Sequence, residues 1–373
     1  MSGNTENDFL SALSNPLGQD SGNPTDQIAS TGEDSQDLLE DQKPTPNVGQ
    51  PIAGDIGLGK SLLMQSFHPV LIFGTRATGK TTFLTSMLAF FRSMPKLGVT
   101  VTLGQQLSES EAGALAHESA EKLFHLQVNS FINGTAPELN QDAFPFFVPL
   151  ELRKLKLKSI IKIALMESSG ELWDVKKHKN QVLKLRAEII DIYKNYTKPL
   201  SVIMMVPYAM RDGYTGADNS LEEKAEFQTS DASLLQTLQI YQQNRRAGIK
   251  DQFYFVLTKW DMHTQEITTQ EFVRPSEELV SDMVEKRFPQ AYNFFRAMSH
   301  GQGGAKCLPY SAGLIGGTTI LEIPHKLRPL LLAFPHRLWR WIYSNATDGG
   351  ELDGVGDRPR GGPIAKFFRE LFT

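Results

Sequence analysis

The chain has 373 residues, 40% of them hydrophobic, and a net charge of −4, so it is long and apolar enough to bury a sizeable core. Its charge is uneven: residues 1–50 hold nine acidic groups and one basic group, which leaves about +4 on the rest of the chain, too little to indicate nucleic-acid binding. The single cysteine, Cys307, excludes a disulfide within the chain and favours a reducing, cytoplasmic setting.

The first predicted segment is a disordered acidic arm over residues 1–66. It is rich in Ser, Asn, Gly, Gln, Pro and Asp, and such a segment buries too little apolar surface to offset its chain entropy. Near its end, "GDIGLGKS" (residues 54–61) matches the phosphate-loop pattern G-x-x-x-x-G-K-[ST]. No strand is predicted before it, and too few residues follow it for the usual helix. We therefore predict that this stretch does not bind phosphate.

A second match, "GTRATGKT" (residues 74–81), lies between a predicted strand and a predicted helix. The apolar run at 67–74 indicates a buried strand, and residues 80–94 place apolar side chains at helical spacing. A loop in this position can turn its N–H groups and the helix N-terminus toward an anion. We therefore predict that it binds phosphate. The predicted contacts are Gly74, Thr75, Arg76, Ala77, Thr78, Gly79, Lys80, Thr81 and Thr82.

The chemistry of such a loop gives its residues distinct roles. Gly74 allows the tight turn, and Gly79 lets the backbone approach phosphate. Lys80 neutralises the β and γ phosphates, and the Thr81 hydroxyl ligates Mg²⁺. Arg76 has two readings: an arginine that contacts the phosphates, or an exposed loop residue.

Strands and helices alternate along the rest of the chain, which predicts an α/β fold around a mainly parallel sheet. The short gap between the apolar runs at 144–152 and 159–167 favours an antiparallel pair of strands. Predicted strands are 98–103, 144–152, 159–167, 200–206, 252–258 and 306–311. Predicted helical segments are 108–130, 174–195, 231–244, 276–298 and 327–343.

Three further motifs follow predicted strands. In "ESSGE" (167–171), Glu167 can hold a magnesium-bound water and the Gly170 N–H can meet a γ-phosphate. In "TKWD" (258–261), the carboxylate can accept from N1–H and the exocyclic amine of guanine, and the lysine stem can cover the base. In "PYSAGL" (309–314), backbone N–H groups can meet the guanine carbonyl. Taken alone, each also reads as an ordinary turn. The residues assigned to the base are Thr258, Lys259, Asp261, Ser311 and Ala312.

In their order and placement, "GTRATGKT", "ESSGE", "TKWD" and "YSAG" resemble the motifs of a Ras-like GTPase of the translation-factor-related class over residues 67–345. The resemblance implies a six-stranded, mostly parallel sheet with one antiparallel strand, helices on both faces, GTP or GDP, and Mg²⁺. It also implies switch loops within 131–143 and 167–180, with Thr135 as the candidate switch threonine and metal ligand, or else a turn residue. Long insertions make the chain similar to bacterial multi-gene or conflict-system GTPases.

Several positions depart from that class. Glu167 replaces the usual Asp, Glu171 replaces the usual water-positioning Gln, and Arg76 replaces a small residue. A carboxylate near the γ-phosphate is unfavourable, which Arg76 could offset. We expect slow GTP hydrolysis carried by Lys80, Glu171 and Arg76, in a regulatory switch read by an effector or operon partner. Two other readings are a GTP-binding scaffold with little hydrolysis and an ATP-using phosphate-loop enzyme.

The chain ends in a predicted flexible linker, residues 346–363, and the segment "IAKFFRELFT" (364–373). Ile364, Phe367, Phe368 and Leu371 share one helical face. Three uses of that face remain open: docking on the protein's own surface, insertion into a partner's groove, and membrane contact.

Overall fold

Seven strands form the central sheet of the computed structural model. The structure describes residues 57–76, 78–138, 144–154, 160–173, 187–210, 221–262, 275–299, 306–313, 315–316, 319–320 and 332–352. The strands are β1 Phe67–Phe73, β2 Val99–Leu103, β3 Phe146–Lys154, β4 Ile160–Glu167, β5 Ser201–Pro207, β6 Gln252–Thr258 and β7 Lys306–Pro309. Their spatial order is β2-β3-β4-β1-β5-β6-β7.

The sheet is mostly parallel, and its central strands are continuous apolar runs. All seven residues of β1 and all seven of β5 are buried, as expected where helices cover both faces of a strand. Only β3 runs against its neighbours, pairing antiparallel with β2 and with β4. The predicted single antiparallel strand is therefore confirmed. The predicted count of six strands is wrong, because β2 adds to the edge of β3. A two-stranded pair, β8 Ile315–Gly316 and β9 Thr319–Ile320, lies outside this sheet.

The helices pack in two groups. The helical segments are α1 Leu58–Met64, α2 Lys80–Ser93, α3 Glu111–Glu121, α4 Val128–Ile132, α5 Ala187–Asn195, α6 Leu221–Asn244, α7 Glu277–Arg287, α8 Pro289–Ser299 and α9 Ala333–Ala346, with a π turn at Lys122–Gln127 joining α3 to α4. In one group α2 contacts α4 and α9. In the other, α6 contacts α5, α7 and α8, and α1 packs on α5 and β1.

The helix α1 corrects the predicted extent of the N-terminal arm. Residues 1–56 lie outside the described part of the chain, but Leu58–Met64 form a helix, so the predicted disorder does not extend to residue 66. Leu62 is fully buried. Helices this short are marginal alone in water, so the contacts of α1 with α5 and β1 stabilise it.

Other boundaries differ from the predictions for local reasons. The helix predicted at 276–298 is broken at Phe288, which has φ −129° and ψ 56°, because the residue before a proline avoids the helical region. The helix predicted at 231–244 begins ten residues earlier, at Leu221. Of the stretch predicted as helical at 174–195, Ala187–Asn195 is described and is helical.

The predicted linker starts too early. After α9, Leu352 is buried with 1% of its surface exposed, and the Lys154 ammonium donates to the Glu351 carbonyl. Glu351 and Leu352 therefore still contact the sheet domain. Residues 353–373, which include the amphipathic segment, lie outside the described chain. Among the described helices, none combines the length and apolar character needed to cross a bilayer.

Candidate functional site

The four sequence motifs meet at one edge of the sheet. The strands that precede them, β1, β4, β6 and β7, all run in the same direction. Parallel strands place their carboxyl ends together, and this edge is where open α/β sheets bind ligands. The described loop residues that converge there are 74–76, 78–79, 168–173, 259–262 and 310–313.

The loop after β1 has the geometry expected of a phosphate loop. Gly79 adopts the left-handed conformation with φ +78°, which costs glycine nothing sterically, and α2 begins at the next residue. The Lys80 ammonium donates to the carbonyls of Gly74 and Thr75, the second at 3.2 Å. Burial lowers the pKa of Lys80 to about 8, while the negative charge of Glu167 acts to raise it. A bound phosphate would raise this pKa further and favour the charged form.

Oxygen donors suited to Mg²⁺ lie beside this lysine. The Thr81 hydroxyl donates to Oε1 of Glu167 at 2.8 Å, and Glu167 is only 1% exposed. The longer glutamate, in place of aspartate, still brings its carboxylate to the hydroxyl. Magnesium prefers such hard oxygen ligands and keeps several waters or phosphate oxygens, so these residues fit the ion. Within the described residues, no cluster of three or more His, Cys, Asp or Glu offers a metal site.

The loop after β4 lies directly against the phosphate loop. A Cβ added at Gly170 would lie 2.6 Å from both the backbone N and the Cα of Arg76, so this close approach requires glycine. The loop is anchored by Trp173, whose Nε1 donates to the Ser168 hydroxyl at 2.8 Å and whose ring meets Phe73 edge-on. The predicted contact of the Gly170 N–H with a γ-phosphate stays a prediction.

The loop after β6 is tied to the phosphate loop by Thr258. Its hydroxyl donates to the Thr78 carbonyl at 2.8 Å, across 180 residues of sequence. The next residue, Lys259, has φ +56°, a left-handed conformation that costs about 1–3 kcal/mol in a residue with a side chain. The Trp260 side chain is fully buried. The backbone N–H of Trp260 donates to the Tyr310 carbonyl at 3.2 Å.

The last two motifs are joined by a side-chain hydrogen bond. The Ser311 hydroxyl donates to Oδ1 of Asp261 at 2.7 Å and accepts from the Gly313 N–H at 3.1 Å. Ser311 is 1% exposed. The structure therefore assigns its side chain to orienting the Asp261 carboxylate. Ala312 follows it, half-buried against the core.

Several predicted site residues are less buried than Lys80, Thr81 and Glu167. Thr135 is exposed and its N–H donates to the Ser130 carbonyl at 2.9 Å; among the described contacts, none joins it to Thr81 or Glu167. Arg76 is exposed at the edge of the loop. Thr82 lies half-buried in the first turn of α2. Two further predictions fall outside the described part, the residue Ala77 and the side chain of Glu171.

In the first match to the phosphate-loop pattern, residues 54–61, a carboxylate of the protein contacts the described part of the loop. The Gly59 N–H, in the first turn of α1, donates to Oδ2 of Asp191 at 2.6 Å. An added Cβ at Gly57 would lie 2.6 Å from the same carboxylate, and Lys60 is exposed. An acidic side chain therefore sits where an anion would have to bind. The prediction that residues 54–61 are not the phosphate loop agrees with this arrangement, although residues 54–56 lie outside the described chain.

Sequence reasoning missed several residues that hold the site together. Ser230, on α6, contacts Thr75 through its hydroxyl at 2.7 Å. Ser168 and Trp173 fix the loop after β4, and Tyr310 fixes the loop after β6. The motif "ESSGELW" signals the tryptophan only weakly, because an indole at that position also fits an ordinary core residue.

Comparisons with known proteins do not assign the chain to a family. No family model matches it, and no curated protein sequence matches it. Among solved structures, it is similar to a chain of the signal recognition particle receptor SRb-GTP/SRX complex from Chaetomium thermophilum. The identity is 15% and the TM-score 0.38, over 74% of this chain and 97% of that chain. This likeness is too distant to support a function.

Proposed function

We propose that the protein binds guanine nucleotide with Mg²⁺ and hydrolyses GTP slowly, as a regulatory switch. The observation that carries the proposal is the hydrogen bond from Thr258 to the Thr78 carbonyl. It joins the loop suited to phosphate and the loop suited to a base into one site. Both loops leave parallel strands at the same edge of the sheet.

The loop at residues 74–81 would bind the phosphates. The N–H groups of the loop and of the first turn of α2 carry positive partial charge toward an anion. The Lys80 ammonium, at the centre of this loop, would exchange its carbonyl acceptors for phosphate oxygens. Thr81 and Glu167 would hold Mg²⁺, directly or through water. When bound, the ion would neutralise charge that develops on the phosphates.

Guanine selectivity would come from Asp261. Its carboxylate can accept hydrogen bonds from N1–H and the 2-amino group of guanine, whereas adenine presents no such pair of donors. The Ser311 hydroxyl, donating to one carboxylate oxygen at 2.7 Å, restricts the rotation of this side chain. This orientation supports a preference for guanine over adenine and argues against an ATP-using enzyme.

Slow hydrolysis is inferred from the residue types near the γ-phosphate position. The backbone of Gly170 lies against that of Arg76, which supports a role for the loop after β4 beside a γ-phosphate. Glu171 stands where the GTPase class that the motifs resemble has a water-positioning Gln, and its negative charge disfavours attack on an anion. The same residue favours a second candidate, a GTP-binding scaffold with little hydrolysis. Phosphate release under single-turnover conditions separates the two: any release abolished by removing Mg²⁺ supports hydrolysis.

Nucleotide titration tests the proposal. We expect GTP and GDP to bind the full-length protein at least about tenfold more tightly than ATP, because adenine offers the Asp261 carboxylate no matching pair of donors. Chelating Mg²⁺ should weaken GTP binding. Equal affinities for GTP and ATP would contradict the guanine assignment, and no binding of either would contradict the nucleotide site itself.

A further inference from the structure

A buried pair of hydroxyl groups joins the phosphate loop to the helix α6. The Thr75 and Ser230 hydroxyl oxygens lie 2.7 Å apart, and these residues are only 5% and 6% exposed. They are separated by 155 residues in sequence. None of the four sequence motifs contains Ser230, yet its hydroxyl brings α6 into contact with the loop.

Thr75 is the residue on which the internal hydrogen bonds of the loop converge. Its carbonyl accepts from the Thr78 hydroxyl at 2.9 Å and from the Lys80 ammonium at 3.2 Å. Its carbonyl carbon would also lie 2.8 Å from a Cβ added at Gly170. A displacement of Thr75 would therefore move the lysine's acceptor and the surface against which the next loop packs.

The part of α6 that carries Ser230 is itself held firmly. The adjacent Asp231, 2% exposed, accepts from the N–H groups of Gln290 and Ala291 at 3.0 and 2.8 Å. These groups lie in the first turn of α8, where backbone N–H groups have no helical partner. In the first turn of α6, about two turns before Ser230, Glu223 accepts from the Met210 N–H at 3.3 Å. Ser230 is thus a fixed point against which the loop can be placed.

We propose that Ser230 is a positioning residue for the phosphate loop, holding Thr75 so that Lys80 and the loop N–H groups converge on nucleotide phosphates. The inference rests on the proposed nucleotide-binding function. Thr75 is predicted from sequence to contact the nucleotide, and the proposal assigns the hydroxyl of this residue to Ser230. A purely structural hydrogen bond would affect the stability of the fold and leave nucleotide affinity unchanged, and this difference makes the two roles separable.

The test is the affinity of the full-length protein for a fluorescent GDP analogue in the presence of Mg²⁺. Loss of one hydrogen bond that pre-orders the loop should raise Kd about fivefold in Ser230→Ala, through faster dissociation. Thr75→Val should have the same effect from the other side of the bond. Both changes remove the same hydrogen bond. The double variant should therefore bind the analogue no more weakly than the weaker-binding single variant.

A matched control lies on the same helix. The Thr237 hydroxyl is fully buried and donates to the Ser233 carbonyl of α6 at 2.9 Å, so Thr237→Val should alter stability and leave Kd unchanged. Ser230→Thr, which keeps the hydroxyl, should recover most of the affinity. If the wild-type protein binds but Ser230→Ala and Thr75→Val leave Kd unchanged, or their effects simply add, the positioning role is wrong. If the wild type does not bind, the proposed function fails and this inference with it.

Discussion

Lys80 combines burial, charge and hydrogen bonding in a way that suits an anion site. Its ammonium lies among loop carbonyls with 6% of the residue exposed, and burial lowers its pKa to about 8. A buried ammonium is costly without a compensating charge. Glu167 supplies part of this compensation, and a bound phosphate would supply more. The arrangement is therefore favourable for binding an anion and less favourable without one.

Replacing this lysine tests its predicted part in hydrolysis. In Lys80→Ala the γ-phosphate loses its charge-assisted hydrogen bond, so the single-turnover rate of GTP hydrolysis should fall by at least about tenfold. Lys60→Ala is the matched control, because Lys60 holds the same place in the other pattern match and is exposed. A fall of less than tenfold in Lys80→Ala, or an equal fall in Lys60→Ala, would contradict the catalytic assignment.

At the scale of elements, the sequence predicts the strands well because each central strand is a continuous apolar run. The strand at 252–258 is predicted with the bounds it has in the structure. The helix α1 is missed because its stability depends on Asp191, which is 132 residues away from Gly59. Likewise, the strand at 98–103 is predicted, but pairing Leu103 with Leu150 requires knowledge of the register.

The same limit applies to the site. Residue types and spacing predict the loops proposed for phosphate, metal and base, because each loop contains its own motif, and these assignments stay predictions. The hydrogen bonds that connect the loops, such as Thr75 with Ser230 and Thr258 with Thr78, join residues 155 and 180 positions apart. No local pattern encodes such pairs, so they become visible only once the chain is folded.

Packing between α1 and α5 can be tested by whether one substitution raises or lowers the free energy of unfolding. Helix propensity alone predicts that Gly59→Ala stabilises the protein by about 1 kcal/mol. An added Cβ would, however, lie 2.7 Å from the Asp191 carbonyl oxygen and 3.0 Å from the Ile192 Cα. We therefore expect the free energy of unfolding to fall by about 1–3 kcal/mol in urea titrations. Lys60→Ala, on the same helix, should change it little, and a more stable Gly59→Ala protein would contradict the close packing.

Considered as a whole molecule, the sheet has two unlike edges. The edge with the loops holds the candidate nucleotide site. At the opposite edge, the Arg245 guanidinium binds Asp251 at 2.6 Å and donates to the carbonyls of Tyr196 and Lys198, so these polar groups satisfy one another. A cavity at this edge is lined in part by Arg245, Ile249 and Asp251, and none of its lining residues belongs to the motif-bearing loops. The polar groups at the loop edge, by contrast, lie on four loops that converge at the candidate site.

The central claim is that the loop after β6 recognises guanine, and exchanging the carboxylate of Asp261 for an amide tests it most directly. In Asp261→Asn the amide oxygen can still accept from Ser311, but its NH₂ group opposes the donor edge of guanine and can donate to the 2-carbonyl of xanthine. Asp282→Asn, an exposed aspartate on α7, is the control. We predict that wild type and control prefer GTP to XTP and that Asp261→Asn prefers XTP, a reversal of at least about tenfold. An Asp261→Asn protein that still prefers GTP would contradict the account.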